Sequence, residues 1–135
     1  MELLEKICSF IEDYGWKYNK INEETILCKF LGEKADTEFA LFIQVNEYWV
    51  DFIITPYFLP TQRDIENILL KRISKINQQA KFIRFALGDN DEVTINANIP
   101  VQFLERDFLN MTLDLISYYA DELYLEFFEI WSKNN

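Results

Sequence analysis

The chain contains no histidine, and this absence removes the commonest general base and the imidazole ligands of metal sites. It also excludes Ser-His and Cys-His nucleophile pairs. Cys8 and Cys28 form no CxxC motif and are too few to make a structural zinc site. We therefore predict a protein without enzymatic activity, without a metal and without a cofactor.

Glycine and proline are also rare, with three of each. Gly15, Gly32 and Gly88 are isolated, so neither a phosphate-binding loop nor a dinucleotide-binding glycine motif is present. The small number of both residues leaves little linker. Since the chain has 135 residues, half of them hydrophobic and 16% aromatic, we expect one packed domain over residues 1–135.

Basic residues are outnumbered 13 to 23 by acidic ones, which gives a net charge of −10 and a pI near 4.4. This balance argues against nucleic acid and against an anionic membrane surface as partners. The first residues mix acids among apolar side chains, unlike a secretory signal, and no apolar run reaches membrane-spanning length. With only two cysteines, the sequence predicts a protein of the reducing cytoplasm.

The stretch from Pro100 to Trp131 predicts one long C-terminal helix, because no glycine or further proline interrupts it. A helical repeat gathers its core residues on one face: Leu109, Leu113, Ile116, Ala120, Leu123, Phe127 and Ile130. The opposite face is acidic, yet Met111, Tyr118 and Leu125 recur on it every seven residues, with Phe128 alongside. Either a neighbouring helix of the same chain covers this second row, or Tyr118, Leu125 and Phe128 contact a partner.

The residues before this helix predict two shorter helices and five strands. The helices are 2–14 and 61–76, the latter opened by a capping box at Thr61–Asp64, and the strands are 25–31, 37–46, 48–55, 81–87 and 92–99. The order is therefore α-β-β-β-α-β-β-α. Short turns between the strands indicate antiparallel pairing and an α+β fold.

The central strands are apolar on both faces. One face of the second strand carries the apolar residues at every second position, Phe39, Leu41 and Ile43. The other face carries Phe42, and in the third strand Trp49 and Ile53, between polar residues. We expect helices to cover only the first face, so Phe42, Trp49 and Ile53 are further candidates for partner binding.

From Ile76 to Trp131 the chain resembles the YbjN family. The resemblance rests on Asn77 at the end of the second helix, Lys81-Phe82 at the start of a strand, an Asp/Asn turn before Val93, a strand ending at Ile99-Pro100 and a long final helix. Gly88 precedes the acids of the turn, which departs from the usual pattern. Over nearly the whole chain the element order is similar to that of the type III secretion chaperones.

The resemblance implies a small, acidic, cytoplasmic α+β domain that is often a homodimer. In the secretion chaperones an extended partner segment wraps around the apolar surface, and the family offers no catalytic residues to carry over. The leading hypothesis is thus a non-enzymatic, chaperone-like protein-binding module. One alternative is a regulatory domain that binds a small molecule in an aromatic-lined pocket. Another is an enzyme that uses carboxylates alone, which requires two acids converging in a cleft.

Overall fold

The computed structural model describes residues 3–133 and shows three α-helices packed on one face of a six-stranded antiparallel sheet. The strand order is β1-β2-β3-β4-β6-β5. In chain order the elements are α1 (Leu3–Tyr14), β1 (Tyr18–Lys20), β2 (Thr25–Gly32), β3 (Thr37–Val45), β4 (Trp49–Phe58), α2 (Arg63–Gln79), β5 (Arg84–Leu87), β6 (Val93–Pro100), a short 3₁₀ turn (Val101–Phe103) and α3 (Arg106–Trp131). The predicted α+β class is confirmed, and β1 is an additional strand.

The alternation of each strand places one set of apolar side chains under the helices. This covered face is fully buried along its centre and consists of Ile26, Cys28, Phe30, Phe39, Leu41, Ile43, Val50, Phe52, Ile54, Phe85, Val93, Ile95, Ala97 and Ile99. Burial of so many aliphatic and aromatic side chains is the main source of the fold's stability. The sheet is therefore fixed in register by its own hydrophobic pattern.

Helix α3 lies between α1 and α2 and contacts both, as well as β2, β4 and β6. Five residues of its predicted core face are buried (Leu109, Leu113, Ile116, Ala120 and Phe127), and Leu123 and Ile130 are partly buried. The helix reaches Trp131 as predicted and begins at Arg106, because Pro100 ends β6 and the next three residues form the 3₁₀ turn.

Strand β4 continues past Pro56, where the sequence predicted a break. The strand passes through a cis Thr55–Pro56 bond and an irregular register to end at Phe58. Proline is tolerated at such irregularities because the ladder hydrogen bond is already missing there. Tyr57 is consequently buried against α3, and its hydroxyl donates to the carbonyl oxygen of Ala120 at 2.6 Å.

The ends of several elements also differ from the prediction. Tyr48 lies outside β4 with its side chain 68% exposed, because the Asn46 side chain accepts the backbone N–H groups of Tyr48 and Trp49 and forms the turn. Helix α2 starts after Gln62 rather than Thr61, so the predicted capping box is wrong, and it extends to Gln79.

Two side chains near α2 and β5 are placed differently as well. Ile68 is 48% exposed, although a helical repeat groups it with the buried residues of α2, which are Ile65, Leu69, Ile73 and Ile76. Strand β5 begins only at Arg84, since Phe82 adopts a positive φ of 71° that interrupts an extended strand. Arg84 does not pair with Glu92 across the β5–β6 hairpin: Arg84 lies opposite Asn96, and Glu92 accepts the N–H of Asn90.

Candidate functional site

The sheet face turned away from the helices carries an apolar surface, which we call the open sheet face: Leu27, Leu31, Ala40, Phe42, Trp49 and Ile53. Strand register places Leu27 opposite Phe42 and Phe42 opposite Ile53, so these three side chains form one continuous row across β2, β3 and β4. Their side chains are half-buried, while Leu31 and Trp49 are 64% and 45% exposed. No helix within residues 3–133 covers this face.

Polar side chains divide the open sheet face into two parts. Asp51 lies between Trp49 and Ile53 on β4, and its carboxylate accepts a hydrogen bond from the Asn98 side chain at 2.5 Å. Trp49 lies opposite Pro100 at the end of the sheet. Charges of both signs lie among the apolar groups, since strand register places Lys29 and Arg84 on this face together with Glu38 and Asp51. The face is therefore amphipathic and close to electrically balanced.

The second candidate surface is the outer face of α3, whose apolar residues Met111, Tyr118, Leu125 and Phe128 we call the α3 stripe. Their side chains are between 41% and 57% exposed. Large side chains left this exposed in a row are unusual for a surface that meets only water. The interpretation in which another helix of the same chain covers this row is wrong for the part of the chain that the structure describes.

Phe128 differs from the rest of the stripe because it also extends the aromatic core. Its ring is near-parallel to Tyr124, with centroids 6.1 Å apart, and Tyr124 in turn stacks on Phe58 at 4.9 Å. Trp131 completes this group and donates its indole N–H to the carbonyl oxygen of Leu59. Phe128 is thus positioned rigidly, with one face packed on the protein.

The carboxylates beside the stripe hold neighbouring segments in place. Asp121 accepts the backbone N–H groups of Lys34 at 3.2 Å and Ala35 at 2.7 Å, which anchors the β2–β3 turn to α3. Glu122 pairs with the Lys34 ammonium at 2.5 Å, and this hydrogen bond raises the pKa of Lys34. Asp114 accepts a hydrogen bond from the hydroxyl group of Tyr14. The pKa of Tyr14 is raised, mainly by burial and also by the Asp114 carboxylate.

A groove of about 530 Å³ runs between the end of α1, strand β2 and α3. Its walls include four aromatic rings, those of Tyr14, Trp16, Phe30 and Tyr118. Trp16 and Phe30 are stacked, with centroids 4.9 Å apart and planes 10° from parallel. The groove matches the aromatic-lined pocket of the small-molecule hypothesis in composition, although it lies at the edge of the sheet.

The two aspartates that line the groove do not converge. Asp114 and Asp121 both line it, but they are seven residues apart on α3, which separates them by about 10 Å along the helix axis. Each carboxylate is also occupied by the hydrogen bonds described above. These two aspartates therefore do not form an acid–base couple of the kind that hydrolytic carboxylate enzymes require.

The six predicted contact residues thus divide between two surfaces on opposite sides of the molecule. Phe42 and Ile53 are direct neighbours, Trp49 is separated from them by Asp51, and Tyr118, Leu125 and Phe128 lie on the helical layer. Sequence reasoning missed Leu27 and Leu31. Strand β2 is apolar at both odd and even positions, so its pattern gave no indication of which side faces outward.

This fold is similar to those of YbjN and of chains from two type III secretion systems. YbjN from E. coli superposes with a TM-score of 0.64 over 93% of both chains, at 11% identity. A chain of the ExoU–SpcU complex from the type III secretion system of Pseudomonas aeruginosa gives 0.60 at 12% identity, over 92% of this chain and 96% of that one.

The Yersinia pestis secretion chaperone SycH, solved with a fragment of YscM2, gives a TM-score of 0.52 at 20% identity, over 90% of this chain and 96% of the chaperone. The resemblance found in the sequence is confirmed at the level of the fold. No protein-family model and no curated protein matches the sequence. Within residues 3–133, no helix has the length and apolar character needed to cross a membrane.

Proposed function

We propose that this protein is a non-enzymatic, chaperone-like binding module that forms a homodimer in the cytoplasm and contacts another protein. The observation that carries the proposal is the open sheet face, where a row of apolar side chains stays uncovered although the helices already bury the other face. Association is the usual way in which such a face is removed from water.

Two structural neighbours support a role in protein binding. The ExoU–SpcU structure is a heterodimeric complex, and SycH was solved with a fragment of YscM2. YbjN, by contrast, is described as a candidate transcription regulator. A cytoplasmic location is supported by Cys8 and Cys28, which are both free and buried, as expected in a reducing compartment.

The open sheet face is the better surface for pairing with a second copy. It carries charges of both signs, so two copies related by a twofold axis can place Lys29 and Arg84 near the other copy's acids. The outer face of α3 lacks this balance. We therefore assign the homodimer contact to Phe42, Ile53 and their neighbour Leu27, with Trp49 at its margin.

The mass of the protein in solution tests the assignment. We expect wild-type protein to sediment as a dimer and Ile53→Lys to sediment as a monomer, because a lysine at the centre of the contact introduces an ammonium that is desolvated and repeated across the twofold axis. Ile68→Lys is the matched control, since Ile68 is an exposed isoleucine on α2. A wild-type monomer at high concentration, or a dimer that only Ile68→Lys dissociates, would refute the assignment.

The aromatic groove supports a second candidate function, binding of a small apolar or aromatic molecule that regulates the protein. Its stacked Trp16 and Phe30 rings provide a flat apolar wall beside the carboxylates of Asp114 and Asp121. A thermal-shift screen tests it, because a ligand at about 100 times its Kd stabilises the native state by about 2.7 kcal/mol. A genuine groove ligand raises the melting temperature of the wild type and loses that effect in Trp16→Ala.

A further inference from the structure

The α3 stripe has a regular period that the open sheet face lacks. Met111, Tyr118 and Leu125 follow one another at intervals of seven residues, which puts their side chains in a line along the helix about 10 Å apart. Apolar side chains repeated every seven residues on a helix surface are typical of packing against a second helix at a shallow crossing angle. The geometry therefore favours a helical occupant.

The acids of α3 follow the same period. Asp107, Asp114 and Asp121 each precede one residue of the row by four positions, and Glu122 and Glu129 each follow one by four positions. Residues four apart are neighbours on a helix surface, so acids flank the apolar line on both sides. The single base of α3, Arg106, is bound elsewhere, to Asp13 at 3.3 Å.

This charge distribution disfavours a second copy of the chain as the occupant. Two α3 helices packed along their stripes would bring the acidic flanks of both copies together, and Lys34, which lies beside the stripe, is already paired with Glu122 of its own chain. Each chain also carries a net charge of −10. Like charges facing each other across a helix contact destabilise it. Arg72 of α2 does not compensate at this surface, because it is held by Glu126 of its own chain.

We propose that the α3 stripe is the docking site for a basic amphipathic helix of another protein. This helix carries an apolar side chain about every seven residues and lysine or arginine on both sides of that row. Its apolar residues pack between Met111, Tyr118 and Leu125, and its bases face the acids on both sides of the stripe. Apolar packing and charge pairing therefore favour the same alignment of this helix along α3. The inference rests on the proposed protein-binding function and names the partner's chemistry and its contact surface.

Three labelled peptides of about three heptads and high helix propensity test the proposal on the full-length protein by fluorescence anisotropy. The first has leucine at every seventh position with flanking lysines, the second replaces those leucines by serine, and the third replaces the lysines by glutamate. We expect the first to bind at least about tenfold more tightly than either control, and to weaken about tenfold between low and high salt.

Protein variants locate the contact. Tyr118→Ser with Leu125→Ser is expected to reduce binding of the first peptide at least about tenfold, whereas Ile68→Ser on α2 leaves it unchanged. Asp107→Lys with Glu129→Lys is expected to shift preference to the glutamate peptide. These two acids are suitable because neither side chain accepts a hydrogen bond within the described residues, unlike Asp114 and Asp121.

The outcomes separate this inference from the proposed function. Equal binding of the leucine and serine peptides, or binding unaffected by the double change at Tyr118 and Leu125, overturns the inference. If the peptides fail to bind while Ile53→Lys still dissociates a dimer, the helix docking site is refuted and the binding module stands. If Ile53→Lys abolishes peptide binding and the stripe variants do not, the occupied surface is the open sheet face and the inference is wrong.

Discussion

Replacement of Gly32 by alanine tests the close contact by which α3 holds the β2–β3 turn. An added Cβ atom would lie 2.5 Å from a carboxylate oxygen of Asp121 and 2.7 Å from a ring carbon of Phe39. Real Cβ atoms essentially never lie this close to another heavy atom, so both neighbours must move. Phe39 is only 5% exposed and packs within the core, which leaves it little freedom.

The size of the expected loss in the free energy of unfolding follows from the contacts that each movement disrupts. Displacing Asp121 weakens its hydrogen bonds to the N–H groups of Lys34 and Ala35, and such bonds to a charged acceptor are worth about 1.5–3 kcal/mol each. Shifting Phe39 also overpacks the core at about 1–3 kcal/mol. Because both contacts must be relieved, we expect Gly32→Ala to lower the free energy of unfolding by about 2–4 kcal/mol.

Urea unfolding monitored by tryptophan fluorescence measures this loss, with Gly15→Ala as the control. Gly15 has a positive φ of 103° and nothing within 4 Å of an added Cβ, so alanine there reports backbone strain alone, about 1–2 kcal/mol. In a double-mutant cycle, Gly32→Ala and Asp121→Ala together should cost at least about 1 kcal/mol less than the sum of the two single changes, because part of the clash is gone. A loss below about 0.5 kcal/mol for Gly32→Ala alone would contradict the reasoning.

Three further predictions concern the core. Asn77→Ala should lower the free energy of unfolding by about 1–3 kcal/mol in urea titrations, because the Asn77 side chain both donates to and accepts from the backbone of Phe85, each at 2.8 Å; an unchanged midpoint would contradict this. Burial raises the pKa of the Cys28 thiol to about 12 from 9.0, so the unfolded chain loses the thiol proton at a lower pH than the folded chain. The free energy of unfolding should therefore fall as pH rises from about 9 towards 12. Cys28→Val should make the melting temperature less dependent on pH over this range. Both Cys8 and Cys28 are buried, and a thiol reagent should label them slowly in native buffer and rapidly in urea, whereas rapid native labelling would show that they are accessible.

The two proposed surfaces have a joint consequence for assembly. The open sheet face and the α3 stripe lie on opposite layers of the molecule, so a dimer formed through the sheets leaves both stripes outward. Each dimer would then present two docking sites for basic helices. Two linked sites increase the avidity for a partner that carries more than one such helix.

Much of the fold followed from local patterns. Apolar residues recur at every second position in β3 and β4 and at a helical repeat in α3. Each of these patterns identifies one face to be buried, whatever elements pack against it. These faces are the ones buried in the structure. The absence of histidine likewise restricted the chemistry before any geometry was known. The composition of the α3 stripe was also visible, because large apolar groups among acids stand out on a helical repeat.

Long-range contacts decided the rest. Strand β4 passes Pro56 because Tyr57 and Phe58 gain an aromatic core with α3, an interaction between residues about sixty positions apart that no local propensity encodes. The hydrogen bonds by which Asp121 holds the β2–β3 turn are of the same kind. Whether the α3 stripe was covered also depended on where α1 and α2 packed, since exposure is a property of neighbours and not of a residue's own sequence.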